Sequence, residues 1–224
     1  MRASEPWFHV AHWTMRPPIT LWFNWRFEAL EHLPRQGAVL VACNHISYFD
    51  PLAHGMMMVR AGRRPRFLAK KELYGNSFLR TVLLGAGQIP VERGTRSAAP
   101  LIAAREALEQ GEAVLVYPEG TVTRNADFTP MQGKTGVARL TLVSGVPVLP
   151  IAVWGTHRIW QRSGPDDLRF GRPIWLQAGA PMDFSEHEGR PDDPATLRTV
   201  TDAVMAELAR LVKDLRRRYP ARWA

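Results

Sequence analysis

The run Asn44-His45-Ile46-Ser47-Tyr48-Phe49-Asp50 holds the densest set of chemically able side chains in this 224-residue sequence. It follows the short apolar stretch Ala38 to Ala42, so it falls on the turn that leaves a strand. An aspartate five positions after a histidine on such a turn can reach back to one ring nitrogen and leave the other facing a substrate. That is the arrangement of a general base. It takes a proton from an attacking hydroxyl while the carboxylate stabilises the imidazolium that forms. The alternative for the same residues is structural, with His45 at the start of the next helix and Asp50 as its N-cap.

Three further segments carry useful chemistry. Gly87-Gln88-Ile89-Pro90-Val91-Glu92-Arg93 is a glycine-bearing turn with an arginine suited to a bidentate bond to phosphate. Tyr117-Pro118-Glu119-Gly120-Thr121 again ends an apolar strand, and offers a carboxylate and backbone amides close to a glycine. Val146-Pro147-Val148-Leu149-Pro150-Ile151 is too apolar for chemistry but suits a pocket wall.

Other groups give weaker readings. Gly133-Lys134-Thr135 has the ending of a phosphate-binding P-loop, but the glycine required five positions before Gly133 is Phe128. No Gly-x-Ser-x-Gly elbow occurs, so an esterase of the α/β-hydrolase kind lacks its nucleophile. Ser47 is two residues from His45, a spacing that does not require the side chains to meet. Cys43 is either an acylated nucleophile or a small buried residue ending a strand, and the second is the ordinary reading. His9 and His12 have no carboxylate nearby to complete a metal site. Arg60, Arg63, Arg64 and Arg66 come without the interleaved aromatics of a nucleic-acid surface, and read as a solvated loop or an anionic-lipid contact.

The elements that must position these groups are visible in the pattern of apolar residues. Strands are predicted at Trp25–Ala29, Ala38–Ala42, Phe67–Ala69, Ala113–Tyr117, Val146–Val153 and Ile174–Gln177. Helices are predicted at Pro51–Val59, from Ser97 through Gln110, and at Gly136–Ser144. A long amphipathic helix carries Leu197, Val200, Val204, Leu208, Leu211, Val212 and Leu215 and closes on Arg216, Arg217 and Arg218. Alternating strands and helices imply one α/β domain with a central, mostly parallel or mixed sheet flanked by helices. Sites in such folds gather at the C-terminal ends of strands, where the clusters after Ala42 and Tyr117 both lie.

A hydrophobic content of 46% allows one sizeable core, and a net charge of +8 favours an anionic partner. One cysteine excludes an internal disulfide and thiolate metal clusters. Arg16, Pro17, Pro18, Asn24 and Arg26 break up the most apolar N-terminal stretch, so no spanning helix and no signal peptide are expected. Residues 1–24 carry Trp7, Phe8, Trp13, Trp22 and Phe23, rings that either sit at a lipid headgroup boundary or cover the core.

Taken in order, the four segments resemble the four sequence blocks of the glycerolipid acyltransferase superfamily, in particular bacterial 1-acylglycerol-3-phosphate acyltransferases of the PlsC type. The resemblance runs from about Arg26 to Ile151. It implies that His45 is the catalytic base and Asp50 its orienting partner. Arg93 would bind the acceptor phosphate, Glu119 and Gly120 would hold the glycerol moiety, and Lys70, or its rival Lys71, would lie near the reaction centre. Thr121 and Asn44 join this expected substrate-binding set. The resemblance further implies direct acyl transfer without a covalent enzyme intermediate, a metal or a cofactor. The co-substrate would be an acyl-CoA or acyl carrier protein thioester, and the acceptor lysophosphatidic acid or glycerol 3-phosphate. By this reading residues 1–24 contact an anionic phospholipid surface on the cytoplasmic side of the cell membrane, residues 25–224 form the acyltransferase domain, and nucleic acid is not a partner. A silent lipid-binding scaffold on the same fold is the alternative without catalysis, and the presence of both His45 and Asp50 counts against it. Two departures stand out: Tyr117 replaces the more usual phenylalanine, and the arginine common just after Gly120-Thr121 is displaced to Arg124. The region before Trp25 is also too short for the paired-helix anchor of some relatives.

Overall fold

A computed structural model of the chain describes residues 6–91, 99–160, 166–187 and 190–223. In chain order the main elements are α1 (Pro6–Trp22), β1 (Asn24–Glu28), β2 (Val39–Cys43), α2 (Asp50–Arg60), β3 (Pro65–Lys70), α3 (Ser77–Gly85) and β4 (Ile89–Val91). There follow α4 (Ala99–Glu109), β5 (Ala113–Val116), α5 (Gly136–Ser144), β6 (Val148–Trp154), β7 (Pro173–Ala178) and α6 (Pro194–Arg218).

The strands form one seven-stranded sheet in the order β1-β7-β6-β2-β5-β3-β4. All neighbours are parallel except β6 and β7, so β1 and β7 run against the other five strands. The three central strands are buried along their whole length, which explains why they read as unbroken apolar runs. Their side chains alternate between two cores. Val39, Val41, Cys43 and Leu115 face the side covered by Ala53, Met57 and Met58 of α2. Leu40, Ala42, Val114 and Val116 face Ala104 and Leu108 of α4, Val137 and Leu140 of α5, and Val204 and Leu208 of α6.

Helix α6 is held at both ends by its own sequence. Asp193 caps it by accepting from the Thr196 N–H at 2.9 Å, with Pro194 opening the first turn. At the far end Arg218 forms a fork on Glu28 of β1 and also reaches Asp214 and Gln177, joining helix and sheet edge.

The expected strands and helices all occur, with ends shifted by a few residues. Three elements went unread, α1, α3 and β4. The Gly87–Arg93 segment, expected as a turn, supplies a strand as far as Val91, which pairs with Lys70. The basic loop also needs correction. Arg63 and Arg66 are buried rather than solvated. Arg63 donates to the carbonyls of Pro34 and Gly37 at 2.7 and 2.6 Å, and Arg66 forms a two-pronged pair with Glu112. These guanidiniums satisfy backbone and carboxylate groups at the N-terminal ends of β2 and β5, so they face neither lipid nor nucleic acid.

Candidate active site

Parallel pairing puts Ala42 beside Val116 and Cys43 beside Ile151, so the chain leaves β2 and β5 side by side, with β6 flanking β2. His45, Asp50, Glu119 and Gly120 meet there.

Asp50 opens α2, yet its carboxylate points back at the turn before it. Oδ2 accepts from the N–H groups of Ile46 and Ser47 at 2.6 and 2.8 Å and faces His45 Nδ1 at 2.9 Å. The N-cap position belongs to Phe49, which makes no side-chain cap bond, so Asp50 serves the imidazole and not the helix end. The carboxylate draws the ring proton to Nδ1, which leaves Nε2 as the basic nitrogen. Among the described residues Nε2 has no hydrogen-bond partner. His45 is 7% exposed and Asp50 fully buried, so the pair is shielded from solvent on all but one side.

Thr156 was not singled out from the sequence, although it completes the site. Its hydroxyl donates to Asp50 Oδ1 at 2.6 Å from just beyond β6. No local signal marks it, because the contact joins residues far apart in the chain.

Two residues of the expected substrate-binding set have structural contacts. Asn44 is fully buried, and its amide accepts from Val153 N at 2.8 Å and donates to Val153 O at 3.1 Å. It is therefore a clamp between β2 and β6, with no face left for substrate. Glu119 has both oxygens on backbone, Oε1 on His45 N at 3.0 Å and Oε2 on Met131 N at 2.9 Å. Burial raises its pKa, partly offset by these two N–H bonds.

Gly120 adopts φ +72°, which suits a glycine, and its N–H closes a tight turn on Tyr117 O at 2.9 Å. Thr121 is half-buried beside it, and Arg124 is exposed. Arg93 lies outside the described residues, as do the side chains of Lys70 and Lys71.

The Tyr117 ring stacks on His45 with centroids 4.2 Å apart and planes 25° apart, and its hydroxyl lies 3.2 Å from His54 Nδ1. Burial pushes the Tyr117 phenol well above its usual range. It also depresses two neighbouring histidines to about 4: His54, and His157, which packs between Phe128 and Trp154. These imidazoles stay neutral near pH 7. Ser47 donates to Trp160 O and accepts from Phe49 N, so it is turned away from His45. Cys43 lies buried under the site with its thiol pKa raised by burial, which disfavours a nucleophilic thiolate.

Residues 24–154 match the family model described as Acyltransferase. Among curated proteins, the chain is 26% identical over 185 residues to a 1-acyl-sn-glycerol-3-phosphate acyltransferase of Bacillus subtilis (strain 168), covering 83% of this chain and 86% of that one. It is 30% identical over 133 residues to a protein of the same name from Borreliella burgdorferi, covering 58% and 51%. Among solved structures it is similar in fold to the 1-acyl-sn-glycerophosphate (LPA) acyltransferase PlsC from Thermotoga maritima. That match has a TM-score of 0.69 at 24% identity, and covers 98% of this chain and 86% of the other.

Proposed function

The chain belongs to the Acyltransferase family, and from that premise we propose that it acylates the free hydroxyl of 1-acylglycerol 3-phosphate to give phosphatidic acid, using a fatty acyl-CoA as donor. The observation that carries this reading is the His45–Asp50 pair, with Nδ1 fixed on the carboxylate and Nε2 unpaired at the end of β2. The names of the curated relatives support the choice of acceptor.

The acceptor hydroxyl rests against His45 Nε2 and gives up its proton as its oxygen attacks the thioester carbonyl carbon. The tetrahedral intermediate collapses, the carbon–sulfur bond breaks, and the imidazolium returns the proton to the departing thiolate. Asp50, held by Thr156 and two backbone N–H groups, stabilises the imidazolium in between. Base catalysis of this kind contributes roughly a hundred- to ten-thousand-fold, and placing the reactants together contributes further. No step calls on a metal or other cofactor. Arg93 is proposed to bind the acceptor phosphate, with Lys70 near the reaction centre.

The same reading puts the protein peripherally on an anionic membrane, on its cytoplasmic side. Trp13, Leu21 and Trp22 of α1 are exposed, and Leu168 and Phe170 extend the apolar patch, with Trp22 edge-on to Phe170. Among the described residues no helix is long and apolar enough to cross a membrane.

The test is mass-spectrometric product analysis with palmitoyl-CoA, offering 1-acylglycerol 3-phosphate and glycerol 3-phosphate in parallel, with His45→Ala as control. Phosphatidic acid that depends on His45 is expected. Acylation of glycerol 3-phosphate alone would replace the acceptor, and a fully active His45→Ala enzyme would remove the mechanism.

A further inference from the structure

The Gly133-Lys134-Thr135 run fails as a P-loop, yet the fold gives its lysine a defined place. Lys134 N donates to Pro118 O at 2.8 Å, which fastens it to the turn after β5. Its side chain then lies back across that turn. Nζ and Cε each lie 2.9 Å from the point where a Cβ on Gly120 would stand. The glycine thus meets two requirements, a positive φ and room for the lysine.

The charge laid there is uncompensated. Glu119, beside Gly120, directs both oxygens at backbone N–H groups of His45 and Met131, and Asp127, the acidic residue nearest Lys134 in sequence, accepts from Thr129. No ion pair or hydrogen bond engages the Lys134 ammonium among the described residues, and the side chain is open to solvent. The same short turn carries Tyr117, stacked on the base, and Glu119, bonded to the base's own backbone. An unpaired cation therefore lies on the segment that frames the hydroxyl to be deprotonated. In 1-acylglycerol 3-phosphate that hydroxyl and the phosphate are only a few bonds apart.

We propose that Lys134 is a specificity-determining residue, its ammonium binding the phosphate of the acceptor while His45 faces the acceptor's hydroxyl. This rests on the acceptor reading above and adds a residue to it. A lysine suits the place because a compact, solvated point charge can follow a headgroup that enters from the membrane surface.

The experiment compares wild type, Lys134→Gln and Lys134→Arg, first checked for equal melting temperature. Each is assayed with 1-acylglycerol 3-phosphate and with the uncharged 1-acylglycerol as acceptors. Direct binding of 1-acylglycerol 3-phosphate in detergent micelles is measured separately, without acyl-CoA. Lys134→Gln should raise KM and Kd for the phosphorylated acceptor about tenfold or more, as expected for loss of a charge-assisted contact. Turnover of the uncharged acceptor should not change, and Lys134→Arg should recover most of the loss. Equal KM, Kd and phosphate preference in a folded Lys134→Gln protein would overturn the proposal. The binding arm separates the two claims: wild type that binds the phosphorylated acceptor but does not acylate it defeats the acceptor reading alone, and Lys134→Gln still decides the lysine's role. Wild type that does not bind it defeats both.

Discussion

The turns after β2 and β5 lie side by side at the same edge of the sheet, yet they are built on opposite plans. In the first, residues 44–50, the polar side chains Asn44, Ser47 and Asp50 are fully buried and hydrogen-bonded, and the free valence is the outward nitrogen of His45. The second, residues 117–124, is only partly closed, with a left-handed glycine and Lys134 laid over it. The base is thus fixed before substrate arrives, while the neighbouring turn keeps the Lys134 charge open to solvent. Rigidity is concentrated where proton transfer needs geometry, and openness where a lipid headgroup must enter.

This contrast can be broken most severely at Asp50. Asp50→Ala strips the acceptor from two backbone N–H groups, the Thr156 hydroxyl and His45, and should cost about 3–5 kcal/mol along with nearly all turnover. Denaturant unfolding and a kcat measurement check it, and loss of only one of the two would show that the turn's stability and the base's orientation are separable.

Acid should weaken the fold through two histidines that flank the site, His54 of α2 and His157 beyond β6. His54 and His157 are held neutral in the fold, at about 4, whereas unfolded histidine takes a proton near 6.5. Between those values the unfolded chain binds more protons, so stability falls as pH drops from about 6.5 towards 4, by on the order of 3 kcal/mol for each histidine. A melting temperature that stays flat from pH 7 to 4.5 would show that these imidazoles accept protons without disturbing the fold.

Thr156→Val should cost about 1–2 kcal/mol and lower kcat more than it alters KM, since the lost hydroxyl supports Asp50 and touches no substrate. Unchanged kcat would remove Thr156 from the support of the base. The mildest effect should come from Tyr117→Phe, which keeps the stack on His45 and loses one long contact to His54, at below about 1 kcal/mol. A kcat lowered tenfold or more by that change would show that the hydroxyl itself tunes the base.

The sequence made the fold legible wherever a regular apolar pattern met a clear stop. Val39–Cys43, Gly136–Ser144 and the stripe from Leu197 to Leu215 are such cases. It was silent on α1, where Pro17 and Pro18 interrupt the pattern, and on α3 and β4, although Phe78, Leu79, Val82 and Leu83 after Ser77 have helical spacing. Three residues are too few for β4 to show a period. At the site, His45 and Asp50 were readable because five positions of one turn contain both. Asn44 looked like a ligand-binding group because its partner, Val153, is 109 positions away. Thr156 was passed over and the buried Arg63 misjudged for the same reason: pattern reasoning sees neighbours in sequence, and their partners are neighbours only in space.

The buried Cys43 has a practical consequence. It is the only thiol in the chain, it is sealed under the sheet edge, and its ionisation is suppressed. With the proposed acyl-CoA donor, a chromogenic thiol reagent added to the reaction should therefore see only the released coenzyme A, so acyl transfer can be followed continuously in native protein with no background from the enzyme.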